Sequence, residues 1–203
     1  MVDLLTLATF APAALLLNLT PGADMMFCLG QGLRGGPRAS IAASAGIALG
    51  GMVHVLLAGL GLGAVIAAVP WSFDVIRWIG VAYLVYLAVQ TLRQNNAPAG
   101  TQMVTTGRAF FNGFAVNLTN PKVILFVLAF VPQFVDPARG SVLGQFLIFG
   151  AVLGFGGFFI NAGVGILAGD AGKRLAGGGG WLRWASSAVF LGLALRLAVL
   201  ERT

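Results

Sequence analysis

The sequence predicts an all-α, polytopic membrane protein: six transmembrane helices arranged as two inverted three-helix repeats, with helices one and four broken at proline. Three observations carry that expectation. Hydrophobic residues make up 58% of the 203-residue chain and charged residues only 9%, with a mean hydropathy of +0.92. A soluble domain carries about 25% charged residues, so this chain has too little polar surface to cover itself. Six apolar segments follow one another, each near or above the roughly 20 residues that cross a hydrocarbon core. Finally, one phrase occurs twice, as Asn18-Leu19-Thr20-Pro21-Gly22 and as Asn117-Leu118-Thr119-Asn120-Pro121-Lys122.

The first span covers about 4–33. Its start, Met1-Val2-Asp3-Leu4, has no positive region, and Asn18, Pro21 and Asp24 stand where a cleavage region would be small and polar. It therefore reads as a retained helix and not a signal peptide. Pro21 removes a backbone donor and clashes with the preceding turn, which interrupts the span at depth. The second span, about 40–68, is studded with Gly46, Gly50, Gly51, Gly59, Gly61 and Gly63. Small residues at three- and four-residue spacing let helix backbones approach closely in lipid. The third span covers about 72–92 and is followed by the extended polar stretch Arg93 to Gln102, which reads as a linker. Residues 1–93 thus form a first three-helix repeat, 94–107 the linker and 108–203 the second repeat, all within one transmembrane domain. The fourth span, about 109–135, is broken at Pro121. The fifth, about 141–169, carries Gly150, Gly154, Gly156, Gly157, Gly163 and Gly165, and the sixth covers about 182–200.

The halves match beyond the repeated phrase. A shift of 99 residues (18 to 117) superposes Asn18, Leu19, Thr20 and Phe27 on Asn117, Leu118, Thr119 and Phe126. A shift of 106 (50 to 156) superposes Gly50-Gly51 on Gly156-Gly157 and Arg77-Trp78 on Arg183-Trp184. Three spans per repeat is odd, so the second copy enters the membrane from the opposite side.

The net charge of +6 comes from Lys and Arg scattered singly or in pairs, with no basic stripe, so nucleic acid is not an expected partner. Lipid headgroups are. Arg34, Arg38, Arg93, Arg108, Lys173, Arg174 and Arg183 follow the odd-numbered spans, against Arg77, Arg139, Arg202 and Arg196 on the other side. The positive-inside rule then leaves both termini outside.

Asp24 lies just past Pro21-Gly22, in the first turn of a second half-helix, where freed amides favour an anion. Two readings stand: it caps the broken helix, or it is a proton or amine site. Lys122 follows Pro121 directly, and either snorkels to an interface or meets Asp24 where two inverted breaks converge at the midplane. Asn18, Asn117 and Asn120, with Thr20 and Thr119, repair backbone groups freed by the prolines or line a substrate site. His54, the single histidine, is either a cross-helix hydrogen-bond partner or a proton-coupling group. Asn161 is a similar polar site in span five. Cys28 stands alone, so neither a disulfide nor a cysteine metal cage forms within the chain, and no metal or cofactor is expected. Phosphate loops, a Ser-His-acid arrangement and an HExxH pattern are absent, which argues against an enzyme or an ATP-driven pump.

The phrases Asn18-Leu-Thr-Pro-Gly-Ala-Asp24-Met-Met and Asn117-Leu-Thr-Asn-Pro-Lys122, followed by Phe130-Val-Pro-Gln-Phe-Val-Asp136-Pro, resemble the signatures of the lysine exporter and homoserine/threonine resistance family. Gly46-Ile-Ala-Leu-Gly50 and Gly80-Val-Ala-Tyr-Leu-Val-Tyr-Leu87 resemble its second and third spans. The resemblance implies a secondary active exporter of neutral or cationic amino acids in the bacterial inner membrane, driven by protons, with a homodimer often proposed. It carries the family's motif residues onto Asn18, Pro21, Gly22 and Asp24 and onto Asn117, Asn120, Pro121 and Lys122. Ala23 stands where many relatives have proline, and Gly51 where many have a polar or acidic residue. Export of a metal cation, and a non-transporting scaffold, are the rival readings.

Overall fold

The computed structural model describes residues 2–68 and 106–167, with single helical positions between 75 and 89 and between 184 and 195. Apart from those positions, the third and sixth expected spans and most of the linker lie outside the described residues. Helix α1 is Leu4–Leu19, α2 is Ala23–Ala68, α3 is Thr106–Leu118, α4 is Pro121–Leu125 and α5 is Val142–Ile166. The described residues are helical, with no strand among them. Among them, two stretches are long and apolar enough to cross a membrane, Ala23–Gly61 and Val142–Ile166. The pair Thr106–Leu118 and Pro121–Phe134, bent by 52°, makes a third if it counts as one span.

The expected breaks fall where the prolines require. Helix α1 stops at Leu19, and Thr20 adopts an extended conformation while its N–H and hydroxyl both donate to the Leu16 carbonyl, at 2.9 and 2.6 Å. Pro121 occupies the first turn of α4, where its missing N–H would be unbonded anyway. Asn120 caps that helix by accepting from the Lys122 N–H at 3.0 Å.

One corner departs from expectation. Arg34 to Arg38 was expected to be a loop between two spans, yet α2 is interrupted only at Gly36, with φ +70 and ψ −171. A straight helix would put Cys28 and Ala43 about 22 Å apart at 1.5 Å per residue. Both instead belong to one buried cluster with Ala39, Ile47 and Ala109, so the chain folds back at Gly36. Glycine alone takes that φ without strain, and Pro37 has the fixed φ that starts a helix. The limbs 23–35 and 37–68 are thus the lower half of span one and the whole of span two.

Helix directions follow from the contacts. The second limb of α2 runs antiparallel to α5: Ser40 donates to the Ala162 carbonyl at 3.4 Å and Ser44 to the Phe158 carbonyl at 2.7 Å. Small residues make this approach close. A Cβ on Gly165 would strike Ser40 and the Cys28 carbonyl, and one on Gly46 would strike the Phe110 carbonyl of α3. The glycine-rich helices are therefore packed backbone to backbone, the geometry that dispersion favours where lipid supplies no hydrophobic drive.

Helix α1 runs antiparallel to the segment after the second break. Phe10 is fully buried among Phe149, Phe134, Phe130 and Phe126, with ring centroids 4.7 to 6.5 Å away. Past Leu125 the chain widens into a π-turn over Phe126–Phe130 and tightens into a 3-10 turn over Val131–Phe134. Pro132 lacks an N–H, and the Val131 N–H bonds back to the Phe126 carbonyl, five residues away. Val81 and Ala194, single described positions of the third and sixth segments, pack on the same core. At this end Asp3, the N-cap of α1, pairs with Arg139, which also reaches Asp136 at 3.1 Å.

Candidate functional site

The two breaks meet. In a continuous helix the N–H of residue 21 would bond the carbonyl of Leu17, four residues back, but Pro21 has none. The Lys122 ammonium fills that vacancy, donating to the Leu17 carbonyl and to the Thr20 carbonyl, both at 2.7 Å. The second break shows the same defect, since Pro121 cannot bond the Asn117 carbonyl. That oxygen accepts from the Asn120 N–H at 2.9 Å, and the His54 Nε2 lies 3.3 Å from it. Each break is therefore braced by a side chain of the other half: Lys122 for the first, His54 for the second.

Asp24 lies in the first turn of α2, as expected, and its Oδ2 accepts from the Asn117 Nδ2 at 2.8 Å. Asn120, Lys122 and His54 are the other groups close enough to act on this carboxylate. Asp24 and Lys122 form no direct ion pair; the ammonium gives two of its three donors to the two carbonyls. Two acceptor oxygens here are buried and without a partner, Asp24 Oδ1 and Asn117 Oδ1. Buried polar atoms are nearly always paired, so such a duo marks a place for a donor that comes from outside.

Two small cavities adjoin at this point. One, of about 40 Å³, lies between α2 and α5 and is lined by Asp24, Asn117, Asn18 and Asn161 and by apolar residues including Ile47, Val55, Leu153 and Phe158. The other, of about 30 Å³, is lined by Thr20, Gly22, Asn120 and Lys122. Leu17, Asn18, Asp24, Val123 and Asn161 border both. Each has room for a few waters.

Asn18 donates to the Leu153 carbonyl of α5 at 3.0 Å, and its amide lies on Gly156 and Gly157. Asn117, its counterpart in the repeat, lies on Gly50 and Gly51. These are the glycine pairs that the internal repeat superposes, so equivalent asparagines dock on equivalent glycines across the two halves. Of the expected site residues, Asn18, Pro21, Gly22, Asp24, Asn117, Asn120 and Lys122 come together, and His54 touches them through the Asn117 carbonyl. Pro121 is exposed and acts only by ending α3. The carbonyls of Leu17 and Thr20 were not anticipated, although the former follows from counting four residues back from Pro21.

Comparison with known proteins identifies the chain's relatives. The family model for the LysE type translocator matches residues 15–201. The chain is 36% identical over 140 residues, 68% of either chain, to a protein of Vibrio cholerae called an uncharacterized membrane protein. It is 36% identical over 138 residues, 66% of each, to the homoserine/homoserine lactone efflux protein of Salmonella typhimurium. With the leucine efflux protein of an Enterobacter species it shares 31% over 150 residues, 71% of each. No solved structure matches it. A family match over nearly the full length, on a chain whose apolar helices are long enough to cross a membrane, leads to one conclusion: the chain belongs to the LysE-type translocators, a family of membrane transporters and not of enzymes.

Proposed function

We propose that this chain exports amino acids across the bacterial inner membrane as a secondary active transporter, exchanging them for protons by alternating access between two inverted three-helix repeats. The observation that carries the reading is the pair of buried, unpartnered oxygens on Asp24 and Asn117, set beside a cavity and a lysine. A substrate ammonium supplies the donors those oxygens lack. The substrate carboxylate then has the Lys122 ammonium and the unbonded amides at the start of α2. Relatives named for efflux of homoserine and of leucine support the substrate class.

Exchange follows from competition for one group. The Asp24 carboxylate balances either a substrate ammonium or a proton, and release of one to the outside frees it for the other. Antiparallel packing of α1 against span four, and of the second limb of α2 against α5, supports inverted repeats, with the two breaks as the place where they rock. The cavities are smaller than an amino acid, so loading requires the walls to part. Lipid, protons and a second copy of the chain complete the expected partners, with both termini outside.

The test is export from proteoliposomes with and without a pH gradient. The parental protein is expected to show labelled amino-acid counterflow, and its export is expected to accelerate when a proton gradient is directed opposite to the exported substrate. Asp24→Asn should fold and lose proton-driven export about ten- to a hundred-fold, the scale of a charged hydrogen bond. Parental rates in D24N would remove Asp24 from the mechanism. A parental protein that shows no counterflow of any amino acid would favour a scaffold, and one that moves only metal ions would favour the cation exporter.

A further inference from the structure

We infer that Gly51 and Gly154 determine substrate specificity, by keeping open an apolar subsite that takes the side chain of a neutral amino acid. The inference rests on the proposed amino-acid site and concerns its far end. Most glycines of these helices are required by packing. A Cβ on Gly150 would come within 2.6 Å of Val55, one on Gly50 within 2.9 Å of Asn117 Oδ1, and one on Gly156 within 2.8 Å of Asn18. Gly51 and Gly154 are different. Among the described residues, a Cβ on Gly51 would meet only Asn117 Oδ1, at 3.8 Å, and one on Gly154 only the Met52 sulfur, at 3.9 Å, both ordinary contacts. Each lines the larger cavity, Gly51 from the second limb of α2 and Gly154 from α5. The antiparallel register that sets Ser44 on Phe158 and Gly150 on Val55 places them on facing walls. Their missing side chains therefore leave volume in the cavity and not a helix contact.

The same unpartnered oxygens that support the amino-acid site point to a ligand in this cavity. Asn117 is only 2% exposed, lines this cavity and carries an unpartnered Oδ1, beside the unpartnered Asp24 Oδ1. With the ammonium at those oxygens and the carboxylate toward Lys122, the remaining direction for a side chain is between Gly51 and Gly154. Among the described residues, Asp24 is the single charged one lining the larger cavity, and Lys122 the single further one in the smaller. Both are occupied by the zwitterion itself. A cationic side chain would be buried without a counter-charge, which selects neutral side chains.

The experiment is counterflow in proteoliposomes loaded with alanine, homoserine, valine, leucine or lysine, for the parental chain, G51A and G154A. The parental protein is expected to move neutral substrates and discriminate against lysine. Each variant should lose leucine relative to alanine by about tenfold or more, the discrimination one methylene gives in an apolar pocket, mainly through KM. Thermal midpoints in detergent should stay near parental for both, whereas G150A should lower the midpoint and reduce all substrates together. Equal scaling of every substrate in both G51A and G154A, or parental transport of lysine as fast as leucine, overturns the inference while leaving amino-acid export standing. A parental protein without amino-acid counterflow overturns the underlying reading too. If one variant fails to fold, the other, on the opposite wall, decides.

Discussion

The two breaks begin with the same Asn-Leu-Thr and end in different chemistry. At the first, Pro21 and Gly22 lead to an acid whose outer oxygen has no partner. At the second, Pro121 leads to a lysine whose donors go to the backbone of the first. One copy thus exposes a charge to the cavity, and the other uses its charge to hold the first copy in shape. The difference explains how an acid and a base are buried near each other without pairing: the acid keeps an oxygen free at the cavity, and the base gives two of its three donors to the Leu17 and Thr20 carbonyls. The repeated phrase supplies two similar defects, and the different residues around them divide the labour.

The largest effect expected of any single change at the breaks is therefore at Lys122. Lys122→Met keeps the length of the side chain and removes both bonds to the first break, leaving two carbonyls short of a donor and Asp24 without its nearest cation. Loss of two charged hydrogen bonds should lower stability by about 3–6 kcal/mol. Export should fall below detection. Measured as thermal unfolding in detergent and as counterflow, a K122M protein of parental stability would mean that the ammonium serves substrate alone and braces nothing.

His54 offers a smaller and more discriminating comparison, because its bond to the Asn117 carbonyl is long and shared with the Asn120 N–H. His54→Ala should cost about 1 kcal/mol and slow export a few-fold. His54→Gln retains a donor without a titrating ring, and should restore both. If H54Q exports as poorly as H54A, and the pH profile of export flattens in both, the ring carries protons and its bracing role is secondary.

Much of this division was legible in the residues themselves. Both breaks could be placed from Pro21 and Pro121, because a proline inside an apolar run has a fixed consequence for the carbonyl four residues earlier. The docking of asparagine on glycine pairs was implicit in the internal repeat. Other features were hidden for physical reasons. Arg34 and Arg38 look like a loop, but one glycine at positive φ followed by Pro37 turns the chain within a single residue. The π-turn at Phe126–Phe130 lies in an unbroken apolar run, where no periodicity records helical register. That Lys122 braces the first break needed the fold, since many cations could have satisfied the Leu17 carbonyl. Gly51 and Gly154 were indistinguishable from their packed neighbours until the space around each was known.

The far ends of the two broken spans give the gentlest test of how the halves are joined. Asp3 caps α1 by accepting from the Thr6 N–H at 2.7 Å, and Arg139 of the second half pairs with it. The capping bond, and then Arg139, hold the Asp3 carboxyl well below its usual range, at about 2. A carboxyl lowered on folding stabilises the folded state fully above its unfolded pKa near 3.8 and loses that contribution as the pH falls toward 2. Both partners are about half exposed, so the pair is screened by salt and weak. Asp3→Asn, which can still cap, should leave the thermal midpoint at pH 7 nearly parental and abolish only the part of the pH 2–4 slope that belongs to Asp3. Asp3→Ala should lower the midpoint more, by removing the cap as well. Because the bond spans the two halves away from the cavities, neither variant should alter the ranking of amino acids; a changed ranking in D3N would mean that this end of the molecule moves with the site.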